Sequence, residues 1–232
     1  MELIEDSQDL SGAPDRIVHM PDTATALVFR DGELVVVGPR TRAAYFAGKE
    51  LEVCVKARLR PGVAGAVLDM PVRELVDGTI PLSALWGDAA TDLERRLVRL
   101  GRDCESIREC LEESLAARLR PTDHARLART AVSAVSALSG PGRLPELARS
   151  LAVSERQLRY VVTENVGVPP KAVARITRLR SALGARRHMD LAQLAATNGY
   201  YDQSHMTAEF RSMMGVPPGA FFAGRLPAPQ PC

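Results

Sequence analysis

The sequence predicts an α+β chain. It reads as a small antiparallel β-sheet or partial barrel with helices, followed by an all-α segment made of two helix-turn-helix units. Three observations carry this. Alternating apolar residues punctuated by turn dipeptides fill residues 16–60, and helical spacing takes over after Pro61-Gly62. The tetrapeptide Gly-Val-Pro-Pro then occurs twice, at Gly167–Pro170 and Gly215–Pro218, each time after a similar helical pattern. With 232 residues, two domains are expected.

In the front part, "TATALVFRDGELVVVG" places two apolar runs around Asp31-Gly32, the strongest short hairpin signal. A second hairpin is expected around Gly48-Lys49. Leu51, Val53, Val55, Ala57 and Leu59 alternate with Glu52, Cys54, Lys56, Arg58 and Arg60, which puts Cys54 on the polar face of its strand. Beside Lys56 and Arg58, that thiol is a candidate redox or effector residue, because nearby cations favour the thiolate. The plain alternative is a cysteine without a role. His19 and Asp22 bracket a turn before the first hairpin and read as structural.

Next, "PGVAGAVLDMPVREL" and "IPLSALWGD" read as short helical pieces, with Trp86 anchoring them on the sheet. Leu93, Leu97, Leu100, Cys104, Ile107 and Leu111 form an apolar seam that Gly101 divides between two helices. Such a seam pairs with its own copy in a homodimer or packs inside the front domain; spacing alone leaves both open. A further helix spans 121–138, "SGPGR" at 139–143 is the linker, and the domains are 1–138 and 144–232.

The doubled unit has a physical reading. In the first copy, Leu147, Ala148 and Leu151 face inward, Ala152-Val153 makes the turn, and Ser154 caps a second helix with Gln157 in capping-box position. Leu158, Val161 and Val162 hold that helix down and leave Arg156, Arg159 and Tyr160 outward. In the second copy, Leu194-Ala195, Gly199, Tyr200 and Asp202 repeat the plan, one residue longer in the turn. Gln203, Ser204 and Thr207 point outward there, and Gln pairs with adenine in two places. A connecting helix from Pro169 carries Arg175, Arg178, Arg186 and Arg187 as phosphate-contact candidates. Charge agrees with a polyanionic partner. Residues 141–232 hold 12 Lys and Arg against 6 Asp and Glu, a net of +6, while the remainder nets −4.

On "LARSLAVSERQL", "NVGVPPKAV", "NGYYDQSHMTAEFRSMMGVPP" and the closing "AFF", the back part resembles the DNA-binding domain of AraC/XylS transcriptional regulators. Ala208 stands where that family usually has Arg. The resemblance implies double-stranded DNA as partner, recognition helices starting at Ser154 and Asp202, and base contacts by Arg156, Arg159, Tyr160, Gln203, Ser204 and Thr207. It further implies RNA polymerase as a partner and a small-molecule effector, while a cytoplasmic setting is expected from the lack of an apolar membrane-length run and the acidic N-terminal stretch. The front part resembles a small sensor-like domain of unassigned function found ahead of some such regulators. Pro21-Asp22, Val37-Gly38-Pro39, Arg60-Pro61-Gly62 and Leu85-Trp86-Gly87 carry that likeness, and the usual further strands upstream are not legible here.

No enzyme motif or cofactor signature is present. Cys104, Cys110 and His124 lack metal-ligand spacing. No apolar run reaches a membrane span, and the acidic N-terminal stretch is unlike a signal peptide. A second reading is a small-molecule-binding or cupin-like front domain joined to a degenerate DNA module.

Overall fold

The structure, a computed structural model, describes residues 3–12, 15–120, 127, 130–132, 134–135, 144–185 and 189–230. Its strands are β1 (Ile4–Asp9), β2 (Arg16–His19), β3 (Ala26–Arg30), β4 (Glu33–Val37), β5 (Ala44–Ala47), β6 (Cys54–Leu59) and β7 (Thr79–Pro81). Five form an antiparallel sheet in the order β1-β6-β3-β4-β7, and β2 and β5 form a separate pair. The β3–β4 hairpin closes as expected at Asp31-Gly32. Both residues have positive φ, 43° and 92°, the twist that a two-residue hairpin turn requires.

The second expected hairpin does not form. β5 pairs with β2, and β6 runs between β1 and β3. The intervening stretch binds backward along the chain instead. Gly48 N–H donates to the Asp15 carbonyl at 3.1 Å, and Leu51 exchanges hydrogen bonds with Gly12. The upstream strand that sequence did not reveal is β1. Its "IEDSQD" is mostly solvent-facing, so the edge strand carries no apolar alternation. Glu112 fixes its start by accepting from the Leu3 and Ile4 amides.

The helical part of the front domain comprises α1 (Ala64–Leu68), a 3-10 turn (Val72–Leu75), α2 (Ser83–Trp86), α3 (Asp88–Leu100) and α4 (Cys104–Arg118). Gly38 allows the 3-10 turn to close on the sheet, because a β-carbon there would fall inside the Leu75 carbonyl. Trp86 donates its indole N–H to the Val67 carbonyl at 3.1 Å, with Arg118 over its ring. The apolar seam is spent inside this domain. Leu93, Leu97, Ile107 and Leu111 are buried with Leu27, Phe29 and Val55, which removes the seam as a homodimer surface.

The back part comprises α5 (Leu144–Ser150), α6 (Glu155–Val166), α7 (Pro170–Ala185), α8 (Leu191–Thr197), α9 (Gln203–Met214) and α10 (Pro218–Phe222). Ala131, Val132 and Val135 pack with Leu147, Ala148, Leu158 and Val162, so these residues of the expected 121–138 helix join the core of the first unit. The 139–143 linker lies outside the described residues. Phe221 and Phe222 of α10 close on Phe210 of α9.

Because Leu97 is fully buried where α3 meets the sheet, Leu97→Ala is expected to cost about 2–5 kcal/mol in urea unfolding. Light scattering should show the same particle mass for variant and parent.

Candidate nucleic-acid interface

Each unit is built from a short helix, a tight turn, and a longer helix whose start faces outward. In the first, Ala152 adopts φ 53° and Val153 N–H bonds back to the Ala148 carbonyl at 3.0 Å. That turn swings α6 across α5 over the small, buried Ala148. Ser154 caps α6, its Oγ accepting from the Gln157 amide at 3.1 Å. Leu158, Val161 and Val162 are buried, while Arg156, Arg159 and Tyr160 are exposed. Arg159 forms an ion pair with Glu155 one turn away, at 2.8 Å.

The second unit repeats this bond for bond. Tyr200 N–H reaches the Ala195 carbonyl at 3.1 Å, matching Val153 on Ala148. Asp202 caps α9, accepting from the His205 amide at 2.7 Å. The one-residue slip is Tyr201, which stands between the buried Tyr200 and the cap with its side chain in solvent. Gln203 and Ser204 are exposed and Thr207 is half-buried. Gln203, Thr207 and Arg211 fall four residues apart on one face, and Arg211 is exposed too.

Both recognition helices end as the repeat implies. Gly167 and Gly215 adopt left-handed φ of 80° and 75°, and their amides close on Thr163 and Arg211 carbonyls. A complete capping box, unnoticed in the sequence although Asp-x-x-Gln is written there, opens α8 at Asp190 and Gln193.

The connecting helix departs from expectation. Arg175 and Arg178 do not present free guanidiniums. Arg175 Nε lies 3.0 Å from Glu209 Oε1, and one terminal nitrogen of Arg178 lies 3.2 Å from both Glu209 oxygens. The Arg178 and Glu209 side chains are each only 12% exposed, and Arg178 also sits over the Tyr200 ring at 5.2 Å. His205 Nε2 completes the group, 3.6 Å from Glu209. These arginines therefore clamp α9 to α7, a use that helical spacing cannot distinguish from an outward one. Burial first, and then the Glu209 charge, pushes the Tyr200 phenol up to about 12. Arg186 and Arg187 lie outside the described residues, as does His124.

Cys54 departs as well. Its side chain is buried, its amide donates to Ser11 Oγ at 2.8 Å, and burial pushes the thiol up, outweighing the pull of Arg30. A thiol held protonated is a poor nucleophile, which removes the redox reading. It is covered without joining the main core cluster, to which the alternate residues Val55, Ala57 and Leu59 belong.

At the junction of the two parts, Asp22 has a larger role than a local turn. It accepts from Arg58 at 2.8 Å and pairs with Arg180 of α7 at 3.2 Å. Arg180 also reaches the Pro21 carbonyl at 3.4 Å. Burial holds the nearby Lys56 ammonium below its usual range, with Asp22 opposing. Burial, then the charges of Arg40, Lys56 and Arg30, lowers His19 to about 4. A small cleft of about 20 Å³, room for about one water, adjoins this group, lined in part by Thr25, Arg58, Arg60, Asn165 and Val166.

Two capped helices with polar outward faces, strung on one connector, have the build of a double helix-turn-helix DNA-binding domain. A family model described as a helix-turn-helix domain matches residues 147–224. No curated protein sequence matches the chain. Among solved structures, the chain is similar to the C-terminal domain of AraT, a response regulator from Geobacillus stearothermophilus. The identity is 20%, over 46% of this chain and 92% of that one, with a TM-score of 0.41. It is also similar to ToxT from Vibrio cholerae, with 11% identity over 98% and 97% of the two chains and a TM-score of 0.46. The unsaturated fatty acid-bound form of ToxT matches at 12% identity over 99% and 95%, with a TM-score of 0.45.

Two outcomes are expected from these environments. Glu209→Gln, which leaves Arg178 buried without its charge partner, should cost about 3 kcal/mol of stability in urea titration. His19 stays neutral when folded down to about pH 4, whereas the unfolded side chain takes a proton near 6.5. Over that interval the unfolded state holds the extra proton, so stability falls as pH drops from 6.5 to 4. His19→Gln should flatten that part of the profile in unfolding midpoints measured across pH.

Proposed function

We propose that the two recognition helices, α6 and α9, enter successive major grooves on one face of a DNA duplex. Arg156, Arg159 and Tyr160 read bases in the first groove, and Gln203, Ser204 and Thr207 in the second. Ser154, as the cap, brings the start of α6 against the backbone. The observation that carries this reading is the bond-for-bond repetition of the turn and cap in both units, each ahead of an exposed polar helix start. With Arg175 and Arg178 engaged by Glu209, phosphate contact passes to exposed cations: Lys171 and Arg211.

The front domain supplies signal input. Arg58, Lys56 and Arg180 gather around the single Asp22 carboxylate at the junction, a cationic cluster that suits a small anionic effector. Such a ligand competes with Asp22 for cations contributed by both domains. The regulator then acts on RNA polymerase at a promoter, in the cytoplasm. Among the described residues no helix is long and apolar enough to cross a membrane.

Selection from random duplexes tests the assignment. Arg156→Ala and Gln203→Ala should each relax preference in a different half of the selected site, by about 1–3 kcal/mol per base pair read. An unchanged preferred sequence in both variants contradicts the helix assignment. For the parent, log affinity should fall with log salt at about −0.9 per phosphate contact.

A further inference from the structure

The two DNA-reading units do not share one core. Among the described residues, Leu158, Val162, Val166 and Val173 close one cluster, while Phe210, Met213 and Met214 pack on Ile176 and Leu179 in another. A third cluster gathers Leu194, Tyr200 and Met206 around Ala182. Helix α7 supplies a residue to each, so the units are beads on one rod. Long helices bend, and a single rod does not by itself fix the separation and rotation of two recognition helices.

The front domain touches both beads, and at the same place in each, the Gly-Val-Pro-Pro stop. On the first unit, the 3-10 turn lies against Gly167, where a β-carbon would come within 2.9 Å of the Val72 carbonyl oxygen and 2.8 Å of Val76. Arg73 of that turn pairs with Glu164 in the last turn of α6. On the second unit, the Ala43 amide donates to the Met213 carbonyl at 2.7 Å, and the Tyr45 hydroxyl donates to the Met214 carbonyl at 2.6 Å. These are final carbonyls of α9, the groups a helix leaves without donors of its own. The C-terminal stretch reinforces the grip, since Gln230 N–H donates to the Tyr45 carbonyl at 2.8 Å and Ala47 N–H to the Gln230 carbonyl at 3.2 Å. Between the two grips, Asp22 holds Arg180 on the rod itself.

We propose that the front domain is a strut that sets the spacing and rotation between the recognition helices, with Tyr45, Arg73 and Asp22 as spacing-determining residues. The protein then accepts two half-sites at one separation only. This rests on the two-groove reading above, but it adds a claim that base contacts alone do not make.

The full chain should be tested on its selected duplex and on versions with one base pair added or removed between the half-sites. The parent is expected to lose about tenfold or more in affinity on either change. Tyr45→Phe combined with Arg73→Ala removes one hydroxyl and one largely exposed guanidinium. It should bring that ratio below about threefold while the selected half-site sequences stay the same. Asp22→Asn alone, with a separate unfolding midpoint for each variant, should shift the ratio in the same direction. A folded double variant that keeps the parent's spacing ratio overturns the strut, as does a parent indifferent to spacing. Failure of the reading beneath it looks different: base changes within the half-sites would then leave the parent's affinity unaltered.

Discussion

The last carbonyls of an α-helix have no donors within the helix, and in this protein the second helix of each helix-turn-helix unit ends where that need is met from several sides. Gly167 and Gly215 turn left-handed and return their amides to the preceding turn. Val168 is buried just beyond the first stop, and Pro170 begins the connector with its φ already helical. At the second stop, Tyr45 and Ala43 reach in from the front domain to take what is left. Fixing where each helix ends also fixes where its start points, because the capped first turn lies at the other end of a rigid rod of about 18 Å. The outward set of Arg156 and Gln203 thus depends on contacts made far from any base.

The distribution of arginine follows the same logic of position. The guanidinium is a planar fork that meets a carboxylate in two places, and it serves equally inside and outside. Glu209 collects Arg175 and Arg178 where α7 crosses α9, in a setting with little solvent. A pair so placed is costly to break from one side, since the remaining charge stays buried. Arg156 and Arg211 project from exposed helix faces instead and retain their charge for a polyanion. At the junction, Asp22 pairs with cations from both domains at once, Arg58 of the front domain and Arg180 of the connector.

Much of this was legible in residue order because the constraints are local. Two turns, two caps and two glycine stops each follow from a few neighbouring residues, and Ser154, Asp202, Gly199 and Tyr200 all stand where their types predict. The Asp31-Gly32 hairpin and the break at Gly101 are of the same kind. What stayed hidden was set by pairing at a distance. Nothing within "AYFA" says that β5 prefers β2 to β6, and the acidic β1 resembles a loop until its edge position is known. Alternation put Cys54 on a polar face, yet that position is buried, with its amide bonded to Ser11 from a distant stretch of chain. Helical spacing set Arg175 and Arg178 on the connector without revealing that a glutamate 31 residues beyond Arg178 would claim them.

The central claim is that one chain presents two reading heads to one face of a duplex. Hydroxyl-radical footprinting of the full chain on its selected site tests it most directly. Two protected patches, centred about one helical turn or 10 base pairs apart on the same face, are the predicted result. A single patch, or two on opposite faces, would contradict it.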